Sequence, residues 1–217
     1  KMTKLIIFDL DGTLLNTLQD LTNSVNYAMD ILSLPKYDCN QVKSMVGNGV
    51  AVLMQRAVGL KHIEKSAVAL QLQRQYYNKH TDDNTSTYDG VVETLLKLKL
   101  NGYTVAVHTN KDEVCARRLV DRFFRNLVDY VIGTTDSVTK PNPVKILNLL
   151  QKEKISKTRA VYCGDSDVDI LTARNAGLRC ISVTWGFKSR EFLIANGAHY
   201  LADTPSQIID IAEELLK

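Results

Sequence analysis

The sequence predicts an α/β protein whose core is a doubly wound parallel sheet, interrupted near its start by a small α-helical insertion. Three observations lead there. Short β-rich runs recur along the chain with helix-period segments between them, the rhythm of βαβ units. The interval from residue 15 to 87 breaks that rhythm with helical patterning alone. Acidic, hydroxyl and lysine residues stand directly after the β-rich runs, at the edge where an open parallel sheet gathers its strand ends and binds ligands.

The first run is "LIIF" at 5 to 8. After it, Leu18, Leu21, Val25, Ala28, Met29 and Leu32 fall on one helical face, and "GVAVLMQRAVGL" and "EKSAVALQLQRQYYNKH" continue in helical style. No convincing strand lies between Leu14 and about Thr87. The exit, "TDDNTSTYDG", is polar and turn-rich, as a linker should be. The rhythm then resumes with "YTVAVHT" at 103 to 109, "DYVIG" at 129 to 133, "AVYCG" at 160 to 164 and "RCISVTW" at 179 to 185. Their continuous apolar character says that helices cover both faces of the sheet. Helix punctuation supports the spacers. Asn142 with Pro143 can start a helix, Gly177 reads as a C-terminal cap, and Thr204 with Pro205 and Gln207 reads as N-cap, first helical residue and capping-box partner. The expected organisation is a Rossmann-like core from residues 1–14 and 88–217, and a helical domain from 15–87.

Composition excludes several classes. Charged residues are 24% and hydrophobic ones 45% of 217, ordinary for a soluble protein, and no apolar run reaches membrane-span length. The formal charge of +3 comes from scattered lysines and arginines without interleaved aromatics, so neither nucleic acid nor a membrane is an expected partner. Cys39, Cys115, Cys163 and Cys180 form no C-x-x-C pair, which argues against a zinc knuckle or a redox motif. With no signal peptide before the first strand, a reducing cytoplasm is the expected location, and a monomer or homodimer the expected state.

The residues after the strands are Asp9, Asp11 and Thr13; then Thr109, Asn110 and Lys111; then Lys140 in "KPNP"; then Asp165, Ser166, Asp167 and Asp169. Several carboxylates on one edge would repel each other unless a cation neutralised them. A hard divalent ion is the economical answer, and Mg²⁺ is typically held by one or two carboxylates, waters and a substrate phosphate. The Lys140 ammonium and Thr109 hydroxyl suit the outer oxygens of a phosphoryl group. The edge is built for a metal and an anion.

Four motifs in this order, "DLDGT" at 9 to 13, Thr109 in "HTN", Lys140 in "KPNP" and "GDSDVD" at 164 to 169, resemble the haloacid dehalogenase-like superfamily in its phosphatase branch. "VGNG" at 46 to 49 and "HTNK" resemble its phosphoglycolate phosphatases and close relatives. The resemblance implies that Asp9 attacks phosphorus to form an aspartyl-phosphate and that Asp11 acts as acid and then base. It implies that Asp9, the Asp11 carbonyl, Asp165 and Asp169 hold Mg²⁺, while Thr109, Asn110 and Lys140 hold the phosphoryl group of a small phosphorylated metabolite. It also implies that the helical insert is a cap closing over the site. Substrate choice would then fall to Lys43, Gly47, Asn48, Gly49 and Arg56; Lys43 and Arg56 are candidates to meet a second anionic group, against the plainer reading of solvated basic residues on a helical insert.

Blander expectations accompany these. Asp167 fits a solvated position, Ser166 a helix cap, His108 a hydrogen-bonded core position, and Trp185 a core aromatic at a strand end, with a place beside the site as the alternative. Among other functions, a phosphosugar mutase shares the motifs and would differ in its cap. A phospho-accepting signalling domain would be shorter and lack the helical insert, and a non-catalytic binding domain would have no need of the full set of reactive groups. Dehalogenation has no use for Asp11 and the acidic last motif. Phosphonate cleavage would need a Schiff-base lysine from the cap, a part Lys43 could take, and nothing else in the sequence points there.

Overall fold

The computed structural model describes residues 3–135 and 138–216 and divides into two compact units, one formed by the chain up to Leu15 and from Thr87 onward, the other by Asn16–Ser86.

Strand β1 is Lys4–Phe8. A two-residue strand β2, Leu15–Asn16, leads into helices α1 (Leu18–Ile31), α2 (Cys39–Met45), α3 (Val50–Val58) and α4 (Ser66–Tyr77), and β3, Ser86–Thr87, leads out. β2 and β3 pair with each other, so the segment expected to be free of strands is bounded by a minimal two-stranded sheet. There follow α5 (Val91–Leu100), β4 (Tyr103–Asp112), α6 (Glu113–Phe123), β5 (Tyr130–Thr134) and α7 (Val144–Lys152). The chain continues with β6 (Ala160–Gly164), α8 (Asp167–Ala176), β7 (Arg179–Val183), α9 (Arg190–Ala195), β8 (Tyr200–Ala202) and α10 (Gln207–Leu215).

The main sheet has the order β5-β4-β1-β6-β7-β8 and is parallel throughout. β1 is therefore central, with Phe8 in register with Val107 of β4 on one side and Cys163 of β6 on the other. After β1 the chain fills one side of the sheet with β4 and β5, then returns to fill the other. The connections diverge at the β1–β6 boundary, and the crevice there is where such sheets bind ligands.

Residue alternation explains the two cores. In β1, Ile6 and Phe8 join Val105, Val107, Val161, Cys163 and Ile181 under α5, α6 and α10, whereas Leu5 and Ile7 join Ala106 and Tyr162 under α7 and α8. A third cluster, with Val25, Met29, Val42, Leu53 and Met54, holds the helical unit together, and the α1 face expected from sequence supplies its first members.

Some local expectations shift. β4 runs on to Asp112, with a break in register between His108 and Asp112, so Asn110 and Lys111 lie in the strand's irregular extension and not in a following loop. β8, unpredicted, is a three-residue edge strand. The last helix begins at Gln207, not at Pro205. The Gln207 side chain does accept from the Thr204 and Asp203 N–H groups, but Thr204 Oγ1 is paired with Ser206 Oγ, and Pro205 and Ser206 form a turn. Gly177 caps α8 in the left-handed conformation as expected.

Candidate active site

The site grows from the end of β1. The Asp9 N–H donates to the Cys163 carbonyl at 2.8 Å, so sheet pairing fixes the backbone that carries this carboxylate. Lys140 Nζ lies 2.8 Å from Asp9 Oδ1 and 2.7 Å from Asp169 Oδ1, bridging two buried carboxylates. Asn110 holds the lysine in place. Its Oδ1 accepts from the Lys140 N–H at 2.7 Å, and its Nδ2 donates to the Lys140 carbonyl at 3.4 Å. Asn110, expected on the phosphoryl group, thus turns its side chain to the Lys140 main chain.

β6 and α8 supply the other acids. Ser166 is the N-cap of α8, and Asp169 closes a capping box: its Oδ2 accepts from Ser166 N at 3.1 Å and Ser166 Oγ at 2.6 Å. One carboxylate therefore serves the helix with one oxygen and Lys140 with the other. Asp165 accepts from Thr13 Oγ1 at 3.2 Å and from the Phe187 N–H at 2.6 Å. The loop after β7 can come this close because Gly186 is bare. A Cβ there would lie 2.3 Å from Asp165 Cβ and 2.4 Å from the Gly12 carbonyl. Trp185 packs against the core, the plainer expectation, and also borders the site, its Nε1 donating to the Thr13 carbonyl at 3.1 Å.

Carboxylate oxygens of Asp9, Asp165 and Asp169 all lie within 4.8 Å of one another, and all three residues are buried. Without a cation this arrangement is electrostatically uncomfortable. Burial, then the charge of Asp169, pushes Asp165 up to about 7, against the pull of the Phe187 N–H, Lys140 and Thr13. Burial, then Asp169, also holds Asp9 well above the usual carboxylate range despite Lys140. Burial disfavours the Lys140 ammonium, yet Asp169 and Asp9 together raise it well above the ordinary lysine range. Four carboxylates, counting Asp11, face the ammonium groups of Lys140 and Lys111, and the two negative charges left over match one divalent cation. The all-oxygen donor set fits a hard ion.

The Asp11 side chain stands outside that trio. It pairs with Lys111, whose Nζ is 3.1 Å from Asp11 Oδ1. The Lys111 N–H also donates to Thr109 Oγ1 at 3.2 Å, so Thr109, Lys111 and Asp11 form one linked group. Lys111 had no assigned role in the sequence, although its place two residues past Thr109 was a signal. Tyr88 is a second omission. Its ring lies 6.5 Å from that of Trp185, and burial, then the negative charges of Asp165 and Asp11, push its phenol above the ordinary tyrosine range.

His108 is buried with its Nδ1 3.2 Å from Tyr162 Oη, a core position as expected, and Asp167 is half-buried at the start of α8. In the helical unit, Gly47 and Gly49 have φ of 130° and 86°, conformations that glycine adopts freely. Arg56 does not present a free guanidinium. It donates to the Met45 carbonyl at 2.6 Å and to Asn48 Oδ1 at 2.8 Å, bracing the "VGNG" loop from within. Lys43 is half-buried on α2.

The comparisons with known proteins agree with this geometry. A family model described as haloacid dehalogenase-like hydrolase matches residues 6–183. Phosphoglycolate phosphatase of Vibrio parahaemolyticus is 32% identical over 220 residues, covering 96% of this chain and 95% of its own length. Phosphoglycolate phosphatase 1 of Pseudomonas aeruginosa is 32% identical over 228 residues, covering 100% of this chain and 79% of its own. Among solved structures, a predicted phosphoglycolate phosphatase from Haemophilus somnus superposes with a TM-score of 0.89 at 31% identity, covering 97% of this chain and 98% of that one.

Proposed function

The chain belongs to the haloacid dehalogenase-like hydrolase family, and from that premise we propose that it is a Mg²⁺-dependent phosphatase of small anionic phosphate monoesters, with phosphoglycolate the first candidate. The observation that carries this reading is the Asp9–Lys140–Asp169 bridge beside Asp165, a cluster short of two positive charges at the mouth of the central strand.

In this reading an Asp9 carboxylate oxygen attacks phosphorus in line, a P–O bond forms, and the bond to the ester oxygen breaks. In its protonated form, with Lys111 donating to the other carboxyl oxygen, Asp11 gives its proton to the departing alkoxide. It then takes a proton from the water that attacks the aspartyl-phosphate, which frees Asp9 and inorganic phosphate. Lys140 and the Thr109 hydroxyl stabilise the transferring phosphoryl oxygens. Lys111, paired with Asp11, keeps that carboxyl directed at the leaving group. Asp9, the Asp11 carbonyl and Asp165, with Asp169, would hold Mg²⁺, which when bound supplies the positive charge that the acids and the phosphoryl group lack.

Residues 16–86 act in this proposal as the cap that selects substrate. Lys43 is the candidate for a second anionic group, with the Gly47–Asn48–Gly49 turn as the shaped contact and Arg56 as its brace. The protein is proposed to work in the cytoplasm, as a monomer or homodimer. The test is phosphate release from 2-phosphoglycolate, pyrophosphate and sugar phosphates with Mg²⁺, with chelator, and with Asp9→Asn. Turnover lost in both controls is expected; no release from any ester would overturn the reading, and isomerised sugar phosphate would turn it toward a mutase.

A further inference from the structure

Below Asp9, on the side of the sheet covered by α7 and α8, two buried polar side chains meet across β1. Tyr162 comes from β6 and shares its core with Ile7 of β1. His108 comes from β4, one residue beyond Val107, which is in register with Phe8. Both are almost sealed from solvent, at 0% and 3% exposure. Tyr162 Oη lies 3.2 Å from His108 Nδ1, 3.2 Å from the His108 carbonyl and 3.5 Å from Asp169 Oδ1. That last atom is the one that accepts from Lys140 Nζ at 2.7 Å.

The proton count is restrictive. The phenol has one proton, while the carbonyl and the carboxylate can only accept. His108 is held neutral by burial and then by Lys140 and Lys145, so one ring nitrogen carries a proton and the other does not. If Nδ1 is the bare nitrogen, it competes for the phenol's proton. If Nδ1 carries the proton, it fills a lone pair of Oη and leaves the phenol's proton for the acceptors, of which the anionic Asp169 is the stronger.

We propose that Tyr162 and His108 are positioning residues for the phosphoryl-transfer site: His108 Nδ1–H donates to Tyr162 Oη, whose proton is directed at Asp169 Oδ1, fixing the carboxylate that sets Lys140 against Asp9. Ser166 holds the other Asp169 oxygen, so the tyrosine supplies the constraint that the capping box cannot. The catalytic part rests on the phosphatase reading above, but the hydrogen-bond chain itself does not.

The experiment therefore has two arms on the full chain. In the first, ¹⁵N NMR of the imidazole in metal-free protein reads the His108 tautomer; protonation at Nδ1 in the native chain, with loss of that preference in Tyr162→Phe, is expected. An Nε2–H tautomer in the native chain overturns the proposal whether or not any ester is hydrolysed. In the second, p-nitrophenyl phosphate turnover with Mg²⁺ should show kcat lowered about tenfold in Tyr162→Phe and His108→Leu with KM within twofold. His108→Asn, whose amide N–H can stand where Nδ1–H stood, should restore most of kcat. The double variant Tyr162→Phe/His108→Leu should fall no further than either single one. Unchanged kcat in both single variants, or independent losses that multiply in the double, overturns the positioning role.

Discussion

Lys111 Nζ stands 3.1 Å from Asp11 Oδ1, and the two side chains are nearly closed off from solvent, at 6% and 15% exposure. A pair this sheltered is screened little by salt and holds its carboxylate in one direction. Through its own N–H the same lysine also fixes the Thr109 hydroxyl. Lys111→Met should therefore lower kcat by about 100-fold, the scale of an impaired general acid–base step, with circular dichroism unchanged. Lys111→Arg should recover part of the loss. A methionine variant with native kcat would reduce the pair to a structural contact.

The acidic trio makes a second expectation measurable without substrate. A cation that binds only the folded state at about 100 times its Kd adds about 2.7 kcal/mol of stability, a rise in Tm on the order of 5 to 10 °C for a chain this long. Mg²⁺ should produce that rise and chelator should remove it. Asp165→Asn, which takes one charge from the trio, should lose most of the shift. Equal shifts in both proteins would place the ion elsewhere.

Gly186 leaves no room for a side chain, with an added Cβ 2.3 Å from Asp165 Cβ. Gly186→Ala should push Asp165 out of line, costing about 1–3 kcal/mol in stability by overpacking and at least tenfold in kcat. The discriminating readout is the Mg²⁺-induced change in Tm, which should shrink along with activity. A variant with both intact would show that the loop after β7 yields freely.

His108 carries a pH signature. Burial, then Lys140 and Lys145, keep its folded-state pKa well below the ordinary histidine value, so below about pH 6.5 the unfolded chain takes up a proton that the folded one does not. This residue's contribution is thus complete above pH 6.5 and is lost as pH falls toward the folded value. In metal-free protein, the native chain should lose about 1 kcal/mol relative to His108→Asn between pH 7 and 5.5, in paired urea titrations. Parallel pH profiles for the two proteins would contradict it.

The main strands and the clustering of acids could be read from the sequence for one reason: Asp9 and Asp165 directly follow apolar strands, and a parallel sheet collects such ends. β8 escaped because Tyr200–Ala202 is a short edge strand, exposed at its start and buried only at Ala202, with no sustained pattern to detect. Lys111 escaped because a lysine paired in a crevice has the same sequence appearance as one in water. The Phe187 contribution to Asp165 is a backbone N–H, which any residue would supply, and only the bare Gly186 before it hinted at a close approach. The pairing of Arg56 escaped for the complementary reason. Composition marks a cation near a loop, but its use by Met45 and Asn48 depends on how α3 starts after Gly49.

The central place of β1 has a consequence for biosynthesis. Its two hydrogen-bonded neighbours, Tyr103–Asp112 and Ala160–Gly164, are translated long after it. At about 5–20 residues per second, Asp9 waits on the order of ten to thirty seconds before the strand bearing Cys163 exists to receive its N–H. The helical segment, whose hydrophobic cluster is drawn from Leu18 to Leu72, can be complete well before then. A ribosome stalled before β6 therefore displays an apolar ribbon with an open edge, the kind of surface that chaperones bind.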